Sequence, residues 1–352
     1  MHMADALLAP AVAATMYVAS GTAAGISVHK LKRDEEPQKL PVMAVSAALV
    51  FAGQMINYTI PGTGSSGHMC GGMLLSALLG PQAGFLSMIV ILAIQSLFFA
   101  DGGLLALGAN IWNMAFYGCF VGYYLLWRPI VQSRLFGEGK GAQRGRIVTA
   151  SILGCVVTLQ LGAFSVVLET SLSGITELPF GAFVALMQPI HLAIGLVEGL
   201  ITSAVLLFVF EARPELLQGM RASGTEKPRQ SLKSVVIILA IVALVVGGGL
   251  SLLASSNPDG LEWALFGNAE AGYSENMGLD EESFGVSGKA SETAEAIQEK
   301  TSFLPDYAFS GSDSAAGTTV SGIVGCVLVA GIAVLIALAG GFFRRKKKAD
   351  RT

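Results

Sequence analysis

Long apolar stretches separated by short polar segments dominate the chain. A shorter apolar run at about 69–79 ends at Gly80-Pro81, a helix stop signal. The other runs are near bilayer length and cover about 5–29, 40–60, 84–100, 106–127, 147–170, 183–210, 234–254 and 318–343. Charged residues make up 13% of the 352 residues, about half of the roughly 25% typical of soluble proteins. We therefore predict an all-α, polytopic transmembrane helical bundle.

The distribution of Lys and Arg predicts the orientation of these helices. With the N-terminus outside, 20 of the 22 basic residues fall in the inside segments, which are 30–39, 80–83, 128–146, 211–233 and the tail from 344. By the positive-inside rule we expect a multi-pass protein of the cell (inner) membrane with a cytoplasmic C-terminus. The N-terminus lacks the basic n-region of a cleaved signal peptide, so we expect the mature chain to begin at Met1.

The linker 211–233 suggests two modules, 1–218 with about seven helices and 219–352 with two. Between the last two helices, the external loop 255–317 carries 12 acidic and 2 basic residues with many Ser, Gly and Ala. We expect much of this loop to be weakly structured. The four cysteines lie in or beside apolar runs without C-x-x-C spacing, which predicts buried thiols and neither a zinc site nor a disulfide framework.

The candidate chemistry begins at the first two residues. The Met1 amine, the backbone amide nitrogen of His2 and its imidazole Nδ1 can close two fused rings around one metal ion. This chelate leaves one corner of a plane open, and planar nitrogen sets suit Ni(II) or Cu(II) better than Zn(II). The alternative is that a histidine at position 2 is incidental.

His68 is the candidate for the open corner. It ends the glycine-rich run 61–67, which lies on the same predicted side of the membrane as Met1. Irregular backbone at membrane depth is tolerated where it is buried in protein or lines a cavity, as a metal pocket would require. A merely flexible turn is the alternative. The run matches G-x-G-x-x-G, but no βαβ unit surrounds it, so we reject dinucleotide binding.

Four further polar residues are candidates to orient the ligands from outside the metal's own shell. Asp101 and Asn110 lie at the predicted depth of the metal, although Asp101 could equally cap a helix. Asn57, just before the glycine run, has the same ambiguity. His191 lies inside the seventh helix with Glu198 two turns further on, where a packing role and a site role are both open.

No enzyme motif accompanies these residues. The sequence contains no G-x-x-x-x-G-K-[ST], no H-E-x-x-H and no G-x-S-x-G. We therefore predict that the chain is not an enzyme and that its partners include membrane lipid and no nucleic acid.

Several motifs, in order, resemble one family. They are Met1-His2, Gly64-Ser65-Ser66-Gly67-His68, Phe99-Ala100-Asp101-Gly102-Gly103, Leu107-Gly108-Ala109-Asn110 and the run 191–202. Over roughly residues 1–215 the chain resembles the CbiM/NikM family, the substrate-specific (S) components of energy-coupling factor transporters for nickel and cobalt. The second module, with Pro258-Asp259-Gly260-Leu261-Glu262, resembles the family's small CbiN/NikN partner, which carries a PDGLE signature.

The resemblance implies a metal site of Met1, His2 and His68, and a substrate that is Ni(2+) or Co(2+). It also implies a membrane coupling (T) protein and two ABC-type ATPases as partners, with the second module assisting loading or release. We expect nickel uptake, because a planar four-nitrogen site favours a d8 ion. Cobalt uptake by the same mechanism is the close alternative; a vitamin-binding S component and a membrane scaffold are less favoured.

Overall fold

The structure, a computed structural model, describes residues 1–31, 39–134, 136–175, 179–220, 229–272, 285–286, 288–309, 311 and 314–339. The basic tail from 344 and most of the predicted inside segment 30–39 lie outside the described residues. The same holds for the middle of the linker 211–233 and for 273–284 of the acidic loop.

The first module is a bundle of apolar helices. Its α-helices are α1 (Pro10–Leu31), α2 (Lys39–Gln54), α3 (Gly72–Leu79), α4 (Pro81–Phe99), α5 (Leu107–Asn110), α6 (Arg128–Gln132), α7 (Lys140–Leu172) and α8 (Phe180–Ala212). A π-helix, Ile111–Trp127, joins α5 to α6 in one continuous helical segment.

In the described part of the chain, both modules together contain six helices that are long and apolar enough to cross a membrane. The predicted polytopic helical bundle is thus confirmed.

The short helix α3 lies at the centre of this bundle. All eight of its residues are buried, and it packs against α2, α4, α7, α8 and the π-helix. Glycines allow the closest of these approaches, since a Cβ built on Gly118 would lie 2.9 Å from the Cα of Gly72. The predicted stop at Gly80-Pro81 separates α3 from α4.

The second module packs its long helices on the first. It consists of α9 (Leu232–Gly248), α10 (Gly260–Phe266), α11 (Lys289–Thr301) and α12 (Ala315–Ala339). Both α9 and α12 lie against α2 and against each other. At their crossing a Cβ on Gly322 would meet the backbone of Gly247, and one on Gly325 would meet the Phe51 ring. The four cysteines are buried and free.

Three local details differ from the apolar runs and from the expected loop. The first helix begins at Pro10 rather than near residue 5, because the preceding segment forms a short 3-10 turn, Asp5–Leu7. The apolar run 40–60 forms a helix only as far as Gln54, and the glycine-rich run after it belongs to a hairpin of β1 (Tyr58–Ile60) and β2 (Ser65–Gly67). Two helices, α10 and α11, form in the described part of the acidic loop, much of which we expected to be weakly structured.

Candidate metal centre

The first residues of the chain run into the molecule. Met3 is fully buried; its N–H donates to Asn110 Oδ1 at 2.8 Å, and its carbonyl accepts from Gly103 N at 2.9 Å. Asp5 Oδ1 accepts from the N–H of Ala106 at 2.9 Å. Non-helical backbone inside a membrane protein needs such internal partners, because lipid offers none. They hold Met1 and His2 inside the protein.

The β-hairpin delivers His68 to the same place. Gly62 and Gly64 adopt positive φ of 76° and 69° at the turn, a conformation that glycine takes at little cost. His68 follows β2 directly, and its ring stacks on that of His2 with centroids 5.1 Å apart and planes 17° apart. The glycine run is therefore an ordered hairpin that brings the two predicted histidines together.

The hydrogen bond of His68 defines its tautomer. His68 Nδ1 lies 3.1 Å from the carbonyl oxygen of Met69. A carbonyl oxygen only accepts, so the proton is on Nδ1 and the lone pair is on Nε2. Burial, followed by the charge of the Met1 amine, lowers the pKa of His68 to about 4. The ring is neutral at pH 7, and Nε2 is available to a metal.

The Met1 amine contacts a residue of the second module. Its nitrogen lies 2.6 Å from Asp259 Oδ2, and the two side chains are 3% and 20% exposed. Asp259 Oδ1 meanwhile accepts from the N–H groups of Leu261 and Glu262 and caps α10. Burial alone would raise the pKa of Asp259, but the ammonium group holds this pKa below its usual range.

His2 contacts a second carboxylate. Its Nδ1 lies 3.0 Å from Asp101 Oδ1, and Asp101 is 24% exposed. The hydroxyl of Tyr307 donates to Asp101 Oδ2 at 2.5 Å. Burial opposes ionisation of Asp101, but the adjacent His2 and the hydrogen bonds lower its pKa below the usual range. Two of the three nitrogens that the chelate requires, the Met1 amine and Nδ1 of His2, thus contact carboxylates here.

A cavity of about 650 Å³ opens beside these groups. His2, His68, Asp101 and Asp259 line it, together with Asp5, Gln54, Asn57, Glu262, Glu295 and Asp306. Six of the described lining side chains are acids and none is Lys or Arg, so the cavity favours a cation. No group of three or more His, Cys, Asp or Glu side chains among the described residues is arranged to hold a metal. The predicted metal site is of a different kind from such a side-chain cluster, because two of its four nitrogens are the terminal amine of Met1 and the backbone amide of His2.

The four residues that we expected to orient the metal ligands make different contacts. Asn110 bonds both polar groups of Met3, and Asp101 bonds His2 instead of capping a helix. Asn57 lines the cavity, and its carbonyl accepts from Ser255 N at 2.7 Å. His191 donates from Nδ1 to the Met187 carbonyl at 2.8 Å and does not line the described cavity.

The sequence analysis did not predict that Asp259 and Tyr307 meet the site. Both come from the second module, and Asp259 is 258 residues from its partner Met1. The capping-box pattern Asp259–Glu262 was a signal for the start of α10. No local pattern could indicate the contact with Met1.

The PDGLE segment joins the metal centre by its backbone as well. The N–H of Ser66 donates to the Pro258 carbonyl at 2.8 Å, and Ser66 pairs with Asp259 in a parallel bridge. The Ser66 hydroxyl donates to the Asn257 carbonyl at 2.7 Å. Residues 257–259 therefore extend the hairpin that carries His68.

Comparison with known proteins agrees with this arrangement. Residues 2–216 match the family model described as cobalt uptake substrate-specific transmembrane region, and residues 233–340 match the PDGLE domain. The chain belongs to the CbiM family and carries a PDGLE module. Members of this family are metal transport proteins.

Relatives with the same two parts span nearly the whole chain. A protein of Archaeoglobus fulgidus named as fused nickel transport protein NikMN is 35% identical, over 94% of this chain and 95% of its own. The fused nickel transport protein NikMN of Rhodobacter capsulatus is 31% identical, over 96% and 98%. Among solved structures, a truncated transition metal transporter is similar with a TM-score of 0.51 and 29% identity, covering 60% of this chain and 99% of that one.

Proposed function

We propose that this CbiM-family protein is the substrate-binding membrane component of an energy-coupling factor transporter for nickel(II) uptake. The observation that carries the proposal is the meeting of the Met1 amine, His2 and His68 beside one acidic cavity. The substrate ion would bind the amine, the amide nitrogen and Nδ1 of His2, with Nε2 of His68 as the fourth nitrogen. Such a planar set favours a d8 ion.

Binding of the ion requires the two carboxylates to change partners. The Met1 amine must leave Asp259, and Nδ1 of His2 must leave Asp101, before either nitrogen coordinates. Coordination displaces one proton each from the amine, from the amide nitrogen and from Nδ1 of His2. The Nδ1 proton would stay on the ring at Nε2, and the other two would be released. One divalent ion then replaces two released protons, so Asp101 and Asp259 balance the same net charge before and after loading.

Cobalt(II) uptake is the second candidate, and the description of the matching family model favours it. A vitamin substrate fits less well, because a vitamin pocket would be lined by aromatic rings. Among the described lining residues only Phe266 and Tyr307 carry phenyl or phenol rings, whereas six are acidic.

We also propose that the chain works with a membrane coupling protein and two ABC-type ATPases. Of the six described spans, α1 is the least enclosed, since 17% of its apolar 18-residue stretch is buried. A Cβ built on Gly21 or Gly25 would meet nothing within 4 Å, so another membrane helix could approach α1 closely. We assign this face to the coupling protein and the N-terminus to the outside.

The test is titration of the purified protein, with a native N-terminus, by Ni(II) and Co(II). One ion per chain and the absorption band of planar low-spin Ni(II) are expected, and competition between the ions ranks them. Adding one residue before Met1 should abolish tight binding, because the amine becomes an amide. His68→Ala should do the same by removing the fourth nitrogen. Full binding by either variant would contradict the site.

A further inference from the structure

One buried carboxylate, Glu198 on α8, has no role in the site described above. It is 1% exposed and lies inside a membrane-spanning helix, where carboxylates are costly. Glu198 Oε2 accepts from the N–H of Cys70 at 2.7 Å, and Oε1 accepts from the N–H of Gly71 at 2.9 Å. Both donors belong to the three-residue turn, 69–71, that links His68 to α3.

That turn depends on side chains for its backbone hydrogen bonds. Cys70 and Gly71 precede the first residue of α3, where N–H groups have no partner within the helix. The carboxylate of Glu198 satisfies both, and an anion is also favourable beside a helix N-terminus. On the opposite side of the same residue, Gln54 Nε2 donates to the Cys70 carbonyl at 2.7 Å. Two membrane helices thus hold one residue of the turn.

Packing leaves the turn little freedom to move elsewhere. Gly71 has a positive φ of 84°, and a Cβ built there would lie 2.3 Å from Val50 on α2. On the α8 side, a Cβ on Gly67 would lie 2.5 Å from Ile194. His68 lies between these two fixed points.

We propose that Glu198 is a positioning residue for His68, acting through the backbone of Cys70 and Gly71, with Gln54 as its counterpart across the turn. The inference rests on the proposed metal site. Glu198 would set where Nε2 of His68 stands relative to the chelate of Met1 and His2. Loss of a group that orients a metal ligand weakens affinity by roughly 10- to 100-fold.

The experiment compares Ni(II) affinity and the Ni(II) absorption band in Glu198→Gln, Ser203→Ala and the wild type. The amide offers one acceptor, so one N–H of the turn loses its partner; we expect roughly 10- to 100-fold weaker binding and a shifted band. Ser203 is a buried hydroxyl on the same helix that bonds the Gly199 carbonyl, and its variant should bind normally. If Glu198→Gln does not fold, Gln54→Leu tests the same turn and should show a smaller effect of the same kind.

A double-mutant cycle with His68→Ala shows whether Glu198 acts through His68. In the His68→Ala background, Glu198→Gln should change the residual affinity less than about twofold, since coupled residues are not additive. An unchanged band and affinity in Glu198→Gln, or a full effect without His68, would overturn the inference alone. Normal binding by His68→Ala, or no binding by the wild type, would overturn the proposed site and the inference with it.

Discussion

Met1 and His2 each meet a carboxylate, but the two carboxylates come from different modules and are held differently. Asp101 belongs to the first module and follows α4, whereas Asp259 belongs to the PDGLE segment. Asp259 is fixed by its own helix, because its second oxygen caps α10. Asp101 is fixed from outside, by the hydroxyl of Tyr307.

The second module thus reaches both halves of the candidate site. It provides one carboxylate directly and braces the other through Tyr307. The partners also differ in number: Asp259 bonds the terminal amine with one oxygen and caps α10 with the other, whereas Asp101 bonds a side-chain nitrogen of His2 and the Tyr307 hydroxyl. Loss of Asp259 should therefore have the larger effect, because it removes a contact of the N-terminus and a helix cap together.

The largest expected effect is that of Asp259→Ala. It removes the cap of α10 and one of the two carboxylates that would balance the charge of the loaded site, so the bound ion loses a nearby negative charge. Interactions with charged groups are worth roughly 1.5–3 kcal/mol, which corresponds to Ni(II) affinity lower by about 10- to 100-fold. Isothermal titration measures this loss. Glu270→Ala, an exposed acid in the same loop, is the control of equal charge and should bind normally; an equal loss there would mean that only loop charge matters.

Features that depend on neighbouring residues could be predicted from the sequence, whereas contacts between distant segments could not. Apolar runs predicted the helices, because twenty consecutive apolar residues are a strong local signal. The strands Tyr58–Ile60 and Ser65–Gly67 are three residues each, too short to show an alternating pattern. His2 and His68 could be singled out by chemistry. Their carboxylate partners could not, because pairing depends on how two modules pack, and no pattern in 255–317 indicates where that loop docks.

A smaller effect is expected for Gly260→Val, which tests the docking of the PDGLE segment without touching a carboxylate. A Cβ on Gly260 would lie 2.6 Å from Ile190 Cγ2 and 3.2 Å from His191 Cε1. Overpacking of this kind costs roughly 1–3 kcal/mol. We expect a lower melting temperature and Ni(II) affinity reduced by about tenfold, since Asp259 is moved away from the ion whose charge it would balance.

The matched control for Gly260→Val is Gly331→Val on α12, where a Cβ would meet nothing within 4 Å. This variant should melt and bind like the wild type. If Gly260→Val lowered the melting temperature but left the affinity unchanged, then the position of Asp259 would not matter for loading. The difference between the two carboxylates would then concern folding only.

The smallest effect is expected for Tyr307→Phe, which tests whether Asp101 needs its external brace. The variant removes the hydroxyl that bonds Asp101 Oδ2 but keeps the ring, which stacks on Phe99 at 4.8 Å. A hydrogen bond to a charged group contributes roughly 1.5–3 kcal/mol, but Tyr307 acts on the ion only through the position of Asp101. We therefore expect part of this energy to appear as Ni(II) affinity about two- to tenfold lower. Tyr117→Phe, which loses a hydroxyl bonded to Ser165, is the control. In an Asp101→Asn background the Tyr307→Phe loss should shrink; a loss that stays the same would show that Tyr307 affects the site by a route other than Asp101.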